Sequence, residues 1–148
     1  MNTVIGKIFE NYSFHLKNKG FQFNYNPGDK LPALNIDEEA VSEAVINLID
    51  NAVKYSPDIK QIEIKTGIDS TFEFVEVTDK GFGISHEDQR KVFDKFFRVS
   101  SALVHDTKGT GLGLSIVKHV MDAHGGKVTV HSKAGVGSSF KLLFPVNN

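Results

Sequence analysis

Residues 38–57, EEAVSEAVINLIDNAVKYSP, decide the fold class, because they describe one helix that combines an apolar face with a polar stripe. The apolar side chains recur at the spacing of a single buried helix face: Ala40, Val41, Ala44, Val45, Leu48, Ile49, Ala52 and Val53. Asn47 and Asn51 lie one turn apart beside this face, near Lys54 and Tyr55. Since Asn is a poor helix former, these carboxamides are either ordinary solvated side chains or groups at the edge of a cavity.

The totals of the sequence indicate one compact domain over residues 1–148. Hydrophobic residues make up 40%, an ordinary share for a globular protein. The formal net charge of −1 excludes a global basic field for nucleic acid, and we expect no nucleic-acid partner. The absence of Cys removes disulfides, thiolate metal sites and cysteine nucleophiles. The sequence has no apolar run of the roughly 20 residues that span a bilayer, and no signal-peptide pattern at its start.

The remaining elements follow from hydrophobic periodicity and turn residues. Helical patterns occupy residues 4–16, 85–97 and 112–121, and strand patterns occupy residues 21–25, 31–36, 61–66, 71–78, 127–132 and 139–146. Asp37 is the predicted N-cap of the helix at 38–57, and Ser85 that of the helix at 85–97. Helices and strands are mixed without strict alternation, which favours a sheet with helices on one face over a doubly wound parallel sheet.

Two glycine-rich stretches are candidates for ligand binding. Residues 79–83, DKGFG, directly follow a strand, so that Asp79 is either the acceptor for an adenine amine or part of an ordinary acidic turn. Residues 109–113, GTGLG, open a helix, where free backbone N–H groups can bind phosphate. The second stretch is neither a Walker loop nor a Rossmann fingerprint. The polar residues 100–110 before it are a candidate lid, and Arg98 at its border is a candidate phosphate ligand.

Several other classes of site have no support in the sequence. The six His residues form no HxxxH or HExxH pattern, and no Cys assists them, so a zinc site is not expected. His124 is interpreted as a favourable charge at a helix end. The sequence also lacks the Gly-x-Ser-x-Gly pattern of a hydrolase nucleophile.

Taken in order, four stretches resemble the N box, first glycine box, F box and second glycine box of bacterial sensor histidine kinases. They are residues 47–55 (NLIDNAVKY), 79–83 (DKGFG), 93–98 (FDKFFR) and 109–114 (GTGLGL). The resemblance covers residues 2–145 and ends in a similar hairpin. It implies an α+β fold of the type shared with gyrase, Hsp90 and MutL. In that fold a mixed, mostly antiparallel sheet packs on a layer of about three helices, and ATP binds beneath a lid.

Carried over position by position, the resemblance implies which residues bind ATP and Mg²⁺. Asn51 is implied to be the Mg²⁺ ligand, and Lys54 and Arg98 are implied to contact phosphate. Asp79 is implied to accept a hydrogen bond from the adenine amine, with Tyr55 packed on the base. The implied nucleotide-binding residues are Asn47, Asn51, Lys54, Tyr55, Asp79, Gly81, Gly83, Ile84, Phe93, Arg98, Gly109, Thr110, Gly111, Leu112, Gly113 and Leu114, of which Asn47, Lys54 and Arg98 form the implied catalytic set.

Asn47 separates the possible reactions. ATP-hydrolysing relatives carry a Glu at the matching position, where it activates water as a general base. The amide of Asn47 cannot take a proton at neutral pH, which favours transfer of the γ-phosphate to a protein. Glu43, one turn earlier, is the rival base, and we expect it to lie too far from the γ-phosphate.

The resemblance also implies partners, a location and a missing segment. Members of the family carry a dimerising hairpin whose phosphoacceptor His is followed by an acidic residue. His15 lacks the acidic neighbour, and the pair at 86–87 lies between two boxes. We therefore expect an excised, monomeric catalytic domain that does not phosphorylate itself. It would serve the phosphoacceptor domain and response regulator of a sensor kinase from the cytoplasm. The resemblance includes inner-membrane sensors among the forms that the parent protein can take.

Three alternatives stay open at this point. One is a free-standing serine kinase of the same fold, similar to anti-sigma factors. Another is a module that hydrolyses ATP to drive a conformational change. A third is a nucleotide-binding domain without any transfer activity. The F box with Arg98 argues against the first alternative, and Asn47 argues against the second.

Overall fold

A computed structural model of the chain describes residues 1–98 and 112–146. Within these ranges, three α-helices and five strands follow in the order α1 (Asn2–Asn18), β1 (Gln22–Asn26), α2 (Glu38–Lys54), β2 (Gln61–Asp69), β3 (Phe72–Asp79), α3 (Gly113–Ala123), β4 (Lys127–Lys133) and β5 (Gly137–Pro145). The strands form one sheet in the order β1-β2-β3-β5-β4. β1 pairs in parallel with β2, and the other neighbours are antiparallel. The predicted mixed, mostly antiparallel sheet is confirmed.

All three helices pack on one face of this sheet, as the lack of strict alternation predicts. Alternate strand residues point into the layer between sheet and helices, because successive side chains of a strand face opposite sides. Fully buried residues of this layer include Ile62, Ile64, Val75 and Leu142 from the strands and Ile5, Val41, Val45, Ile49, Val117 and Met121 from the helices. The result is the two-layer sandwich that the sequence predicts.

The helix at the centre of the prediction, α2, begins and ends as its sequence indicates. The Asp37 carboxylate accepts a hydrogen bond of 3.0 Å from the backbone N–H of Ala40, which satisfies one free donor of the first turn. Glu38 and Glu39 place negative charge at the positive end of the helix. The helix ends at Lys54, before the predicted stop, and its apolar face is buried against the sheet and α3.

His124 links the end of α3 to the start of α2, and this corrects its interpretation as a helix-end charge. Its Nε2 accepts a hydrogen bond of 3.0 Å from the backbone N–H of Asp37. Its Nδ1 lies 2.8 Å from the carbonyl oxygen of Val120. A backbone N–H only donates and a carbonyl only accepts, so the ring carries its proton on Nδ1. The imidazole is therefore a neutral bridge between two helices.

The predicted strand at residues 31–36 is wrong. The structure gives this segment no strand pairing. Pro32 has no backbone donor for a ladder, and Lys30 before it has φ of 51°. Leu34 and Ile36 instead pack against the core from an irregular segment. The apolar residues of this segment thus anchor a connection to the core.

The predicted helix at residues 85–97 is also wrong beyond its first turn. Ser85 Oγ accepts from the backbone N–H of Asp88, as a cap should, but only a one-turn 3₁₀-helix, Asp88–Arg90, follows. Later backbone bonds join residues three apart, such as Asp94 N–H to the Lys91 carbonyl. Buried Val92 and half-buried Phe93 pack against the core from these turns.

The hairpin between β2 and β3 is tighter than predicted. Residues 67–69, which lie beyond the predicted strand at 61–66, continue β2. The turn is confined to Ser70 and Thr71, and Ser70 takes a positive φ of 56°.

No helix within residues 1–98 or 112–146 is both long enough and apolar enough to cross a membrane.

Candidate functional site

A cleft of about 320 Å³ opens between α2, the loop after β3, the turns before residue 98, the start of α3 and the start of β5. This volume falls within the range of small-ligand sites. Its lining residues are Asn47, Asp50, Asn51, Lys54, Tyr55, Asp79, Phe82, Gly83, Ile84, Val92, Phe97, Arg98, Leu112, Gly113, Leu114, Ile116, Ser138 and Phe140. Eleven of these are among the nucleotide-binding residues that the resemblance implies. Ten of the eleven lie in the four sequence boxes, and Ile84 directly follows the first glycine box.

Asp79, the last residue of β3, is the more deeply buried of the two acidic residues that line this cleft in the described part of the chain. It is 8% exposed, and its Oδ1 accepts from the backbone N–H groups of Gly81, at 2.8 Å, and Ser138, at 3.3 Å. Burial raises its pKa from 3.8 to about 6, against these two hydrogen bonds, which lower it. Within the described residues Oδ2 has no protein donor, so that it is available to a ligand amine.

The two glycines of the loop after β3 allow close backbone approaches. A Cβ on Gly81 would lie 2.1 Å from the carbonyl oxygen of Tyr55, which accepts from the N–H of Phe82. Gly83 has φ of 71°, and a Cβ there would lie 2.1 Å from the carbonyl oxygen of Lys133. Gly83 lines the cleft, whereas Gly81 lies behind it and joins the loop to the end of α2.

The polar stripe of α2 forms one wall of the cleft. Asn47, Asp50, Asn51 and Lys54 all line it, because residues three and four apart stack along one side of a helix. Tyr55, the C-cap residue of α2, lines it too and is half-buried. The structure thus brings every implied residue of the first box to one cavity.

The start of α3 faces this stripe. A Cβ added at Gly113 would lie 3.4 Å from Asn47 Oδ1, so a glycine keeps this helix end close to α2. Among the residues that the structure describes, no side chain caps the first turn of α3, so its backbone N–H groups are candidates to bind a ligand. Leu112 and Leu114 line the cleft beside them. The implied residues Gly109, Thr110 and Gly111, with the predicted lid, lie outside the described residues.

The F box contributes to the cleft unevenly. Phe97 and Arg98 line it, and Arg98 is exposed. Phe93, an implied contact, does not line it and instead packs edge-on against Phe140, with 6.1 Å between ring centroids. Phe96, also in the F box, is 67% exposed and has φ of 64°.

The donor set of the α2 stripe suits Mg²⁺ as the resemblance implies. Asn47 and Asn51 offer amide oxygens and Asp50 a carboxylate, all hard ligands. No group of three or more His, Asp or Glu residues within 1–98 and 112–146 could hold a metal ion by protein ligands alone. This suits Mg²⁺ that binds through one or two protein groups, phosphates and waters.

Seven lining residues were missed from the sequence: Asp50, Phe82, Val92, Phe97, Ile116, Ser138 and Phe140. Asp50 had a signal, since it stands on the same helical stripe as Asn47 and Asn51. Phe82 had one too, since it lies between the two glycines of the box. Ser138 had none, because it reaches Asp79 only through the register that pairs β3 with β5.

Comparison with known families agrees with this architecture. The profile of the family described as histidine kinase-, DNA gyrase B-, and HSP90-like ATPases matches residues 36–148. The sensor-like histidine kinase SenX3 of Mycolicibacterium smegmatis is 43% identical over 109 residues, which are 74% of this chain and 28% of that protein. The histidine-protein kinase ArlS of Staphylococcus haemolyticus is 37% identical over 124 residues, 84% of this chain and 27% of that protein. The chain thus spans about a third of the length of such relatives.

Solved structures give the same answer. The catalytic domain of histidine kinase ThkA superposes with a TM-score of 0.81 at 27% identity, over 97% of this chain and 92% of that one. Full-length ShkA in complex with AMPPNP gives a TM-score of 0.81 at 25% identity, over 99% of this chain and 30% of that one. The chain therefore belongs to the family of histidine kinase-, DNA gyrase B- and HSP90-like ATPases and is a homologue of the catalytic domains of sensor histidine kinases.

Proposed function

We propose that this domain binds Mg-ATP in the cleft and transfers the γ-phosphate to a histidine on the phosphoacceptor domain of a sensor kinase. The observation that carries the proposal is Asn47: a carboxamide lines the cleft where a hydrolytic relative needs a base. Glu43, the rival base one turn earlier on α2, is not among the residues that line the cleft. Such a site binds a triphosphate without a protein group to activate water.

At the base end, the proposal assigns Asp79 to the exocyclic amine of adenine. Its Oδ1 is engaged by two backbone donors, which fix the carboxylate, while Oδ2 remains for the ligand. Ile84 and Phe140 supply apolar walls for the base. Adenine is selected because guanine has a carbonyl oxygen in place of that amine, and two acceptors would face each other.

At the phosphate end, the proposal assigns Lys54, Arg98 and the free N–H groups of α3 to the phosphate oxygens. Asn51 would hold Mg²⁺, which neutralises charge on the β- and γ-phosphates. The acceptor imidazole attacks the γ-phosphorus with its own lone pair. An N–P bond forms as the bond to the bridging oxygen breaks, ADP leaves with the electron pair, and the imidazole N–H proton passes to solvent. The protein's part is positioning and charge neutralisation.

The proposal includes partners and a location. The phosphoacceptor domain delivers the histidine, and a response regulator receives the phosphoryl group from it. Because the donor is ATP, the domain works in the cytoplasm. The chain acts as a single catalytic domain, and a separate segment of the parent kinase carries the acceptor.

The test is a transfer assay with γ-labelled ATP and Mg²⁺. The chain alone is expected to acquire no label. With a phosphoacceptor fragment of a related sensor kinase such as SenX3, label is expected on the fragment as an acid-labile, alkali-stable phosphohistidine. Asn51→Ala is expected to lower the rate by about 100-fold, the order seen when an electrostatic contact of the transition state is removed. Asn24→Ala, an exposed change on β1, is the matched control and should transfer normally.

Three outcomes contradict the proposal in different ways. Robust self-labelling of the chain excludes a separate acceptor. Alkali-labile label on a partner serine indicates a serine kinase. Steady phosphate release that is lost on Glu43→Ala indicates an ATP-hydrolysing module.

A further inference from the structure

The cleft contains a carboxylate that the proposed function leaves without a role. Asp50 lies on α2 between Asn47 and Asn51 and lines the cavity with them. It is exposed, and no ion pair joins it to any described residue, including Lys54 one turn later. It therefore presents a full negative charge to the end of the cleft that the proposal assigns to phosphates.

The position of Asp50 distinguishes it from the other acid of the cleft. Asp79 is buried at the end of β3, where two backbone donors hold it. Among the cleft-lining residues in the described part of the chain, Asp50 is the acid on the α2 stripe. A carboxylate beside a triphosphate is repulsive unless a cation lies between them. The same carboxylate is favourable when Mg²⁺ is bound, since it accepts hydrogen bonds from the waters that Mg²⁺ retains.

We propose that Asp50 makes nucleotide binding in this cleft depend on the divalent cation, by disfavouring the metal-free nucleotide and favouring the metal complex. This inference rests on the proposed function, because it takes the α2 stripe as the phosphate end. Asn47 and Asn51 are neutral and can bind the cation without repelling the free triphosphate. Asp50 adds a charge that strengthens the thermodynamic coupling between the cation and the nucleotide, and this coupling is reciprocal.

The test measures Kd for a nonhydrolysable ATP analogue by calorimetry, once with excess Mg²⁺ and once with EDTA. The ratio of the metal-free Kd to the Mg²⁺ Kd is the coupling factor. Asp50→Asn is expected to lower this factor by about fivefold at low ionic strength, a modest Coulombic effect for one charge in a solvent-exposed cleft. The metal-free complex should become tighter and the Mg²⁺ complex weaker. Added salt should shrink the difference, because the charge is exposed.

Two variants act as controls. Glu43→Gln removes a carboxylate from the same helix, one turn before Asn47 and outside the cleft lining, and is expected to keep the wild-type coupling factor. Asp50→Glu keeps the charge and should restore most of the coupling. Because Asp50 is exposed, thermal unfolding of Asp50→Asn should match the wild type and separate binding from folding.

The outcomes are distinguishable. If wild type binds the Mg²⁺ complex and Asp50→Asn has the same coupling factor, Asp50 has no such role and the nucleotide site stands. An equal loss of coupling in Glu43→Gln also overturns the inference, because general helix charge would explain it. If wild type binds no nucleotide with Mg²⁺, the proposed function fails and this inference fails with it.

Discussion

At the residue scale, the buried carboxylate of Asp79 lowers the stability of the folded domain and offers a hydrogen-bond acceptor in the cleft. Its carboxylate is nearly buried, and burial raises its pKa from 3.8 to about 6. Above pH 6 the folded domain therefore holds a charge that the unfolded chain would solvate more favourably. The proposed hydrogen bond to a ligand amine would offset this cost in the bound state.

Asp79→Asn is expected to stabilise the nucleotide-free domain, and increasingly so as pH rises. The amide oxygen can still accept from Gly81 and Ser138, while the buried charge is removed. Because the folded pKa exceeds the unfolded one, the wild-type carboxyl is stabilising below pH 3.8 and loses that contribution as pH rises through 6. The gap in unfolding free energy should reach roughly 3 kcal/mol at pH 8, and about half of it at pH 5. Urea unfolding at the two pH values measures it.

Asp58→Asn is the control for this experiment, since Asp58 is exposed in the connection before β2. Its unfolding free energy should match the wild type at both pH values. A gap for Asp79→Asn that does not change between pH 5 and pH 8 would show that the buried charge is not its cause.

The residue scale also shows what a sequence can predict of a site. Asp79 and the α2 stripe are visible because a glycine-rich turn and a helical period mark them. Ser138 and Phe140 are not, since they face the cleft through the pairing of β5 with β3, and register depends on the assembled sheet. Asp50 could have been found by extending the helical stripe to every polar position.

At the element scale, a periodic hydrophobic pattern predicts a helix or strand correctly where that element packs one face against the other layer of the sandwich. The helix α2 and the hairpin of β4 and β5 match their predictions because each has one face to bury. Residues 31–36 and 85–97 carry apolar residues too, but these anchor connections to the core. The hydrophobicity of these two segments predicts that they contact the core. It does not by itself decide whether they form a strand, a helix or an irregular connection.

The hydrogen bonds of His124, which connect the end of α3 to the start of α2, are expected to contribute to the stability of the domain. His124→Ala removes the acceptor for the Asp37 N–H, the donor to Val120 and an edge contact with Phe144, 5.9 Å between ring centroids. We expect a loss of about 1.5 kcal/mol of unfolding free energy, the sum of a net hydrogen bond and an aromatic contact. Chemical denaturation measures the loss. His119→Ala, exposed on the same helix, should stay within about 0.5 kcal/mol of wild type. Equal losses in the two variants would refute the bridge.

At the scale of the whole molecule, the cleft is walled by both layers of the sandwich. Side chains from α2 and α3 face side chains from β3 and β5 across it. A ligand that fills the cleft contacts the helix layer and the sheet at once, and it binds the folded state alone. Nucleotide binding should therefore raise the stability of the domain as one cooperative unit.

This coupling gives a test that needs no acceptor protein. Mg²⁺ with a nonhydrolysable ATP analogue at 100 times Kd should raise the unfolding free energy by about 2.7 kcal/mol. Asp79→Asn should gain far less at the same ligand concentration, because its amide NH₂ would face the adenine amine as a second donor. The variant that is more stable without ligand is then the one that ligand stabilises least. Denaturation curves of both proteins with and without ligand measure the four values. An equal gain in both would remove Asp79 from the base end of the cleft, since the acceptor at that position would make no difference to binding.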